Sequence, residues 1–341
     1  MSPIAPALEV LVAEIARLTA AQGRRVDAAS LGVLDRVGQL SLDPPTRISP
    51  NRACRLIRAA DGWIAINLAR DDDRTLVPAW LRCDVDGDPW TVIEGRAPDR
   101  LCADLIADGV MLGLPVGRVG EVVCETLDAP MIRMAPGAPR RREAPRAVDL
   151  SALWAGPLCG AILAAMGASV VKIESSRRPD PTRGSMPEFF RYLNGLKDHL
   201  RADLAEADGQ ARLRDAIAAA DVFITSARPR AFASLGLSPE AIFAANPGLT
   251  WVAITGYGCT GDPSARVAFG DDAAAAGGLV RWLWDGAPNF LGDALADPVT
   301  GLAAAVGALR GLAAGGGVMV DVALARSAAA TAAVCGWASA A

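Results

Sequence analysis

The chain has 341 residues, 52% of them hydrophobic, and a formal net charge of −4. That length suits one large domain or two ordinary ones with a sizeable core, and the acidic balance argues against nucleic acid as the main partner. No apolar run reaches the length of a membrane span.

Residues 6–21 place Leu8, Val10, Leu11, Ile15 and Leu18 at helical spacing. Glu9 and Glu14 lie in the same segment, so it does not read as a signal peptide. Asp61-Gly62 is a turn into an alternating, strand-like run at 63–68, and 90–93 reads as a further strand. Residues 100–107 read as a helix stopped near Gly109. Leu114, Pro115, Val116 and Gly120 then make a loop into another short helix. Residues 135–145, APGAPRRREAP, read as an extended, exposed linker. The expected organisation is a small α+β region at 1–134, this linker, and a second domain at 146–341.

Beyond the linker, strands alternate with helices. Strands are expected at 148–150, 169–173, 222–225, 250–255 and 318–324. Helices are expected at 158–166, 207–220, 239–245, 271–279 and 298–314, with a tail helix from Ala325. This alternation implies α/β architecture, a mostly parallel sheet with helices on both faces. The stretch AVDLSALWAGPLCGAILAAMGASVVKIE, residues 147–174, reads as its first βαβ unit. Its Ala155-Gly156-Pro157 turn opens a helix, where backbone N–H groups suit an anion. No GxGxxG motif opens that helix, so a nicotinamide-dependent dehydrogenase is disfavoured.

The seven cysteines are scattered without a CxxC pair, which reads as reduced thiols in a cytoplasmic protein. The single histidine, His199, lies among charges in LKDHLRADL, and a solvated or structural role is expected for it. One histidine also rules out a histidine-rich metal site, and no metal site is expected.

The second half resembles the class III CoA-transferase family, the group of formyl-CoA transferase, carnitine CoA-transferase and α-methylacyl-CoA racemase. The resemblance rests on six blocks in order. They are DLSALWAGP; GASVVKIE; the segment with Asn194, Lys197 and Asp203; Ala220–Val222 with Arg228-Pro229 and Leu235-Gly236-Leu237; Asn246-Pro247 with Ile254-Thr255-Gly256-Tyr257-Gly258 and Gly261; and Gly317 to Val322, with the stretch ALADPVTG between the last two. The run ADGWIAINLARDDD and residues 112–122 are similar to the family's small domain, which ordinarily follows the CoA-binding half. Here they precede it, so the order looks circularly permuted, with a Rossmann-like CoA-binding domain at 146–341.

The resemblance implies a fold, a reaction and a site. It places the catalytic aspartate at Asp297, and Pro298 at the first helical position would make Asp297 an N-cap whose carboxylate the helix terminus favours. Read from the local motif alone, Asp297 could equally be a simple cap. CoA phosphates need cations and N–H donors. The candidates are Trp154, Ala155 and Gly156 at the turn, Arg177, Arg178 and Arg183 after the second strand, and Lys197 and Arg228. Trp282 and Trp284 could wall an acyl pocket or pack in the core. No permanently bound cofactor is implied; coenzyme A and acyl-CoA enter as substrates, with a carboxylic acid as acceptor. A homodimer, interlocked in this family, is implied as well. An acyl-CoA racemase, isomerase or lyase and an inactive CoA-binding subunit are the alternatives. Thr225-Ser226-Ala227 departs from the family's usual ENF, and residues 267–272 lack the histidine of the racemase branch.

Overall fold

The first helix, α1 (Ala5–Ala21), carries a buried stripe of Ala7, Leu11 and Ile15. The computed structural model describes residues 2–84, 87–138, 144–227, 231–232 and 235–337. After α1 comes a hairpin of β1 (Cys54–Ala59) and β2 (Gly62–Asn67), turning at Asp61 with Arg58 opposite Trp63. Helices α2 (Asp71–Thr75), α3 (Val77–Leu81), α4 (Pro89–Arg96) and α5 (Cys102–Leu112) follow, and β3 (Val116–Arg118) pairs antiparallel with β2. Trp80, Trp90, Ile93 and Leu105 fill the core of this small unit.

Three expectations for this half change. Residues 90–93 are helical: Pro89 stands in the first turn, and Trp90 and Ile93 bury one face at i, i+3 spacing. Helix α5 runs past Gly109 and ends at Gly113, whose φ of +72° suits a C-terminal glycine. Residues 121–130, directly after Gly120, form no helix. The N–H groups of Gly120 and Val122 instead donate to the carbonyls of Ala275 and Ala276, at 2.9 and 3.0 Å.

The second half begins with β5 (Arg146–Leu150), α6 (Ala155–Met166) and β6 (Ser169–Ser175). It continues through α7 (Thr182–Ser185), α8 (Pro187–Asn194), β7 (Asp198–Ala202), α9 (Ala207–Ala218), β8 (Val222–Thr225), α10 (Pro239–Ala245) and β9 (Thr250–Thr255). Then come α11 (Gly270–Ala276), the hairpin β10 (Val280–Trp282) and β11 (Pro288–Phe290), α12 (Ala296–Ala313), β12 (Val318–Ala323) and α13 (Leu324–Cys335). A short strand, β4 (Met131–Arg133), precedes them all and joins the edge of the large sheet antiparallel to β12.

The large sheet has the order β4-β12-β9-β8-β5-β6-β7, parallel except at β4. From β5 the chain winds outward to β6 and β7, then reverses to β8, β9 and β12, so the switch point lies between β5 and β8. Strand β7 carries Asp198, His199 and Arg201 and escapes a hydrophobic pattern because it is an edge strand. One face of the sheet is covered by α6, α12, α1 and α13, with Ile162, Val299, Leu302 and Ile15 in a common core. Helices α9 and α10 cover the other, against Phe223 and Trp251. Helix α12 can lie close to α6 because Gly301 faces the Ala155 carbonyl, where an added Cβ would come within 2.8 Å.

The boundary expected at residue 134 is not where the packing changes. Helix α1 and strand β4 belong to the large layers, and the small core draws on residues 57–116. The start of the expected linker is hydrogen-bonded to the turn before β12. The N–H groups of Met134 and Ala135 donate to the Gly317 carbonyl, and that of Ala138 to Gly315, at 2.8–3.1 Å; residues 139–143 lie outside the described residues. Among the described residues no helix is long and apolar enough to cross a membrane.

Candidate active site

Parallel α/β sheets bind ligands outside the carboxyl ends of their strands at the switch point. Here the chain leaves β5 through Ser151–Trp154 and β8 through Ser226-Ala227. With the end of β9 these loops line a cavity of about 320 Å³. Ala155 and Gly156, at the N-terminus of α6, line it together with Arg70, Arg266, Phe269, Asp297 and Leu324.

The turn at α6 is held by buried charge. Leu153 has φ +71°, a left-handed conformation unusual for a side-chain-bearing residue. Its N–H reaches both carboxylate oxygens of Asp180 at 3.3 Å. Lys172 Nζ donates to the Ser151 carbonyl at 2.9 Å and pairs with Asp180 at 3.1 Å. Lys197 Nζ donates to Asp149 at 2.7 Å, to the Pro157 carbonyl at 2.8 Å and to Asn194 at 2.9 Å. Burial pushes the Asp149 carboxyl up, but Lys197 and Lys172 outweigh it and hold it at about 2.

Asp297 lies in the first turn of α12, one residue inside the helix. It is not the N-cap, a position held by Leu295. The half-buried side chain opens on the cavity. Gly270 faces it so closely that an added Cβ would come 2.2 Å from Oδ2. The helix terminus does not keep this carboxyl in the ordinary range. Burial, opposed by Arg36 and reinforced by Asp271 and Asp293, pushes it up to about 7. Asp271, on α11, is raised to about 6 by burial and by Asp293. Asp293, in the loop before α12, takes a bidentate ion pair from Arg36 with both contacts at 2.7 Å. A carboxyl near 7 is available as a nucleophile or as an acid or base at neutral pH.

The structure brings Asp297, Ala155, Gly156 and Arg178 to one cavity. It does not bring the other expected ligands there. Trp154 is buried, its indole N–H donating to the Val33 carbonyl at 2.8 Å, its ring edge-on to Phe189. Arg177 pairs with Asp203 and Glu206 on the outside. Arg183 pairs with Glu174 and lies over Phe190. Lys197 spends all three donors within the fold, leaving none for a phosphate. Arg228 lies outside the described residues. Trp284 is fully exposed at the tip of the β10–β11 hairpin, and neither it nor Trp282 lines the cavity. His199 is exposed on β7, 3.3 Å from Arg183. Arg36, Asn51, Arg70, Arg266, Phe269, Asp271 and Asp293 were not legible as site residues. Arg70 stood in the ADGWIAINLARDDD run, Phe269 and Asp271 in the 267–272 segment and Asp293 four residues before Asp297, but none of these motifs marked them as site residues.

Fold and site together define an α/β protein with a cavity at the switch point of a parallel sheet, and Asp297 is the one carboxyl among the described residues that line it. The family model described as CoA-transferase family III matches residues 145–338, and the chain belongs to that family. It is similar to a succinyl-CoA–D-citramalate CoA-transferase of Chloroflexus aurantiacus, 31% identical over 197 residues, which are 54% of this chain and 49% of the relative. It is also similar to a human succinyl-CoA:glutarate CoA-transferase, 30% identical over 50% of this chain and 41% of the relative. A CAIB/BAIF family protein from Brucella suis superposes with a TM-score of 0.51 at 29% identity, covering 55% of this chain and 54% of the other. The chain spans about half the length of the curated relatives it matches.

Proposed function

We propose that the protein transfers coenzyme A from an acyl-CoA to a free carboxylic acid through a covalent intermediate on Asp297. The observation that carries this reading is the one carboxyl among the described cavity-lining residues, raised to about 7, in the same cavity as the N-terminus of α6 in a chain of this family. As carboxylate, Asp297 attacks the thioester carbonyl; the C–S bond breaks, giving a mixed anhydride and CoA thiolate. The thiolate attacks the aspartyl carbonyl and releases the first carboxylate, leaving an aspartyl-CoA thioester. The acceptor carboxylate attacks that thioester, forming a second anhydride and freeing the thiolate again. The thiolate then takes the acceptor's acyl group, and Asp297 is regenerated. Each step is an acyl exchange of modest difficulty, in place of one direct exchange between two poorly reactive partners. The N–H groups at the start of α6 suit an oxyanion or phosphate, and Arg178, which lines the same cavity, suits an anionic part of CoA.

The reading includes a cytoplasmic homodimer and a permuted domain order. In support of the permutation, α1 packs on the large layer, and the Trp337 indole N–H donates to the Pro3 carbonyl at 2.9 Å. A panel of acyl-CoA donors against free acids, followed by mass spectrometry of the CoA products, tests the activity. Exchange by the wild type and its loss in Asp297→Asn are expected. Equal exchange by both proteins would overturn the mechanism.

A further inference from the structure

The groups that surround the Asp297 carboxyl come partly from residues outside the matched 145–338 region. Arg36 and Asn51 both stand in the segment between α1 and β1. The Arg36 guanidinium lies 5.1 Å over the Trp154 ring and grips Asp293 through Nε and Nη2. The pair is nearly enclosed, with Arg36 14% and Asp293 8% exposed. Asn51 Nδ2 donates to Asp271 at 2.6 Å and to Asp293 at 2.7 Å. Asp271 also accepts from the Ala294 N–H at 2.7 Å, and the Ala294 carbonyl accepts from the Asp297 N–H at 2.9 Å. Ala294 holds φ +45°, so the loop carrying Asp297 is bent and clamped from two sides.

The geometry points to Arg36 as a positioning residue for Asp297, clamping its loop through Asp293 and supplying the cation that keeps its carboxyl available as carboxylate. The inference rests on the reading of Asp297 as nucleophile. Charge accounting supports it. Asp297 is faced by Asp271 from α11, by Asp293 from its own loop and by Arg36. Of the arginines that line the cavity, Arg70 is engaged with Asp73 and Arg266 with Glu121, and Arg178 is not among the charges that act on Asp297. Three carboxylates in one site do not all ionise without a counterion, and Arg36 neutralises one of them directly.

The test reads Asp297 itself. In the full chain labelled with carboxyl-¹³C aspartate, its resonance is assigned by its loss in Asp297→Asn and titrated by NMR. The midpoint is expected to rise by about one pH unit or more in Arg36→Met. It should hold in Arg36→Lys and return toward wild type in Arg36→Met/Asp293→Asn, where no charge is left unpaired. The acidic limb of the CoA-transfer rate should move with it. An unchanged midpoint in Arg36→Met overturns the inference. If that variant does not fold, Arg36→Gln decides: a raised midpoint supports the role and an unchanged or lowered one overturns it. Should these midpoints shift as expected while no acyl-CoA is turned over, the assignment of Arg36 stands and the proposed reaction falls.

Discussion

Asp297→Asn should make the protein more stable, and more so at high pH. The folded state raises this carboxyl from 3.8 to about 7. The folded protein therefore holds the proton more tightly than the unfolded chain between those values. The associated stability is fully present below about pH 4, declines as pH rises and is lost above about pH 7. At about 1.36 kcal/mol per pH unit, the upper limit is about 4 kcal/mol. The side chain opens on the cavity, so solvent screening reduces this to about 2 kcal/mol. Asparagine keeps the shape and removes the repulsion from Asp271 and Asp293. Urea unfolding of both proteins at pH 4.5 and pH 8.5 measures the difference. The variant should gain about 2 kcal/mol more at pH 8.5 than at pH 4.5, while losing activity, the trade expected where a reactive group is held in an unfavourable setting. An equal difference at both pH values would refute the reasoning.

Other predictions follow from the same geometry. Lys197→Met leaves Asp149 buried without its partner and should cost about 3–5 kcal/mol of stability in denaturant unfolding; unchanged stability with weaker CoA binding would instead favour a ligand role. Gly270→Ala places a methyl where Asp297 Oδ2 lies, so the transfer rate should fall at least tenfold, roughly the 1.4 kcal/mol of a slight displacement. Arg178→Ala should raise KM for acyl-CoA with little change in kcat, because it removes a charge that binds without touching the reacting carbon. Wild-type turnover should fall on the acid side of about pH 7, as Asp297 takes up its proton; a rate flat from pH 8 to pH 5.5 would contradict this.

Much of the large domain was legible because its strands are continuous apolar runs between helices of helical period. Val222–Thr225, Thr250–Thr255 and Pro239–Ala245 form at the expected residues. Strand β7 was not, because an edge strand can carry Asp198, His199 and Arg201. Helix α4 was misread because a stretch as short as Trp90–Ile93 is too brief to display its period, and the i, i+3 burial of those two side chains emerges only in the packed structure. Of the residues that line the cavity, Asp297 stood in the ALADPVTG motif and Ala155 and Gly156 in the α6 turn. Its electrostatics were hidden. Arg36 and Asn51 lie more than two hundred residues from Asp293 in the chain, joined only by the fold. Lys197 and Arg183 looked like phosphate ligands because sequence gives a cation's charge and not the carboxylate it already holds.

The central claim is that Asp297 carries the acyl and CoA groups in turn, and covalent trapping tests it most directly. The protein is incubated with an acyl-CoA, quenched with hydroxylamine, digested and mapped by mass spectrometry. The account predicts a hydroxamate confined to Asp297, dependent on the acyl-CoA and absent in Asp297→Asn. Turnover with an unmodified Asp297, or modification at a different side chain, would contradict it.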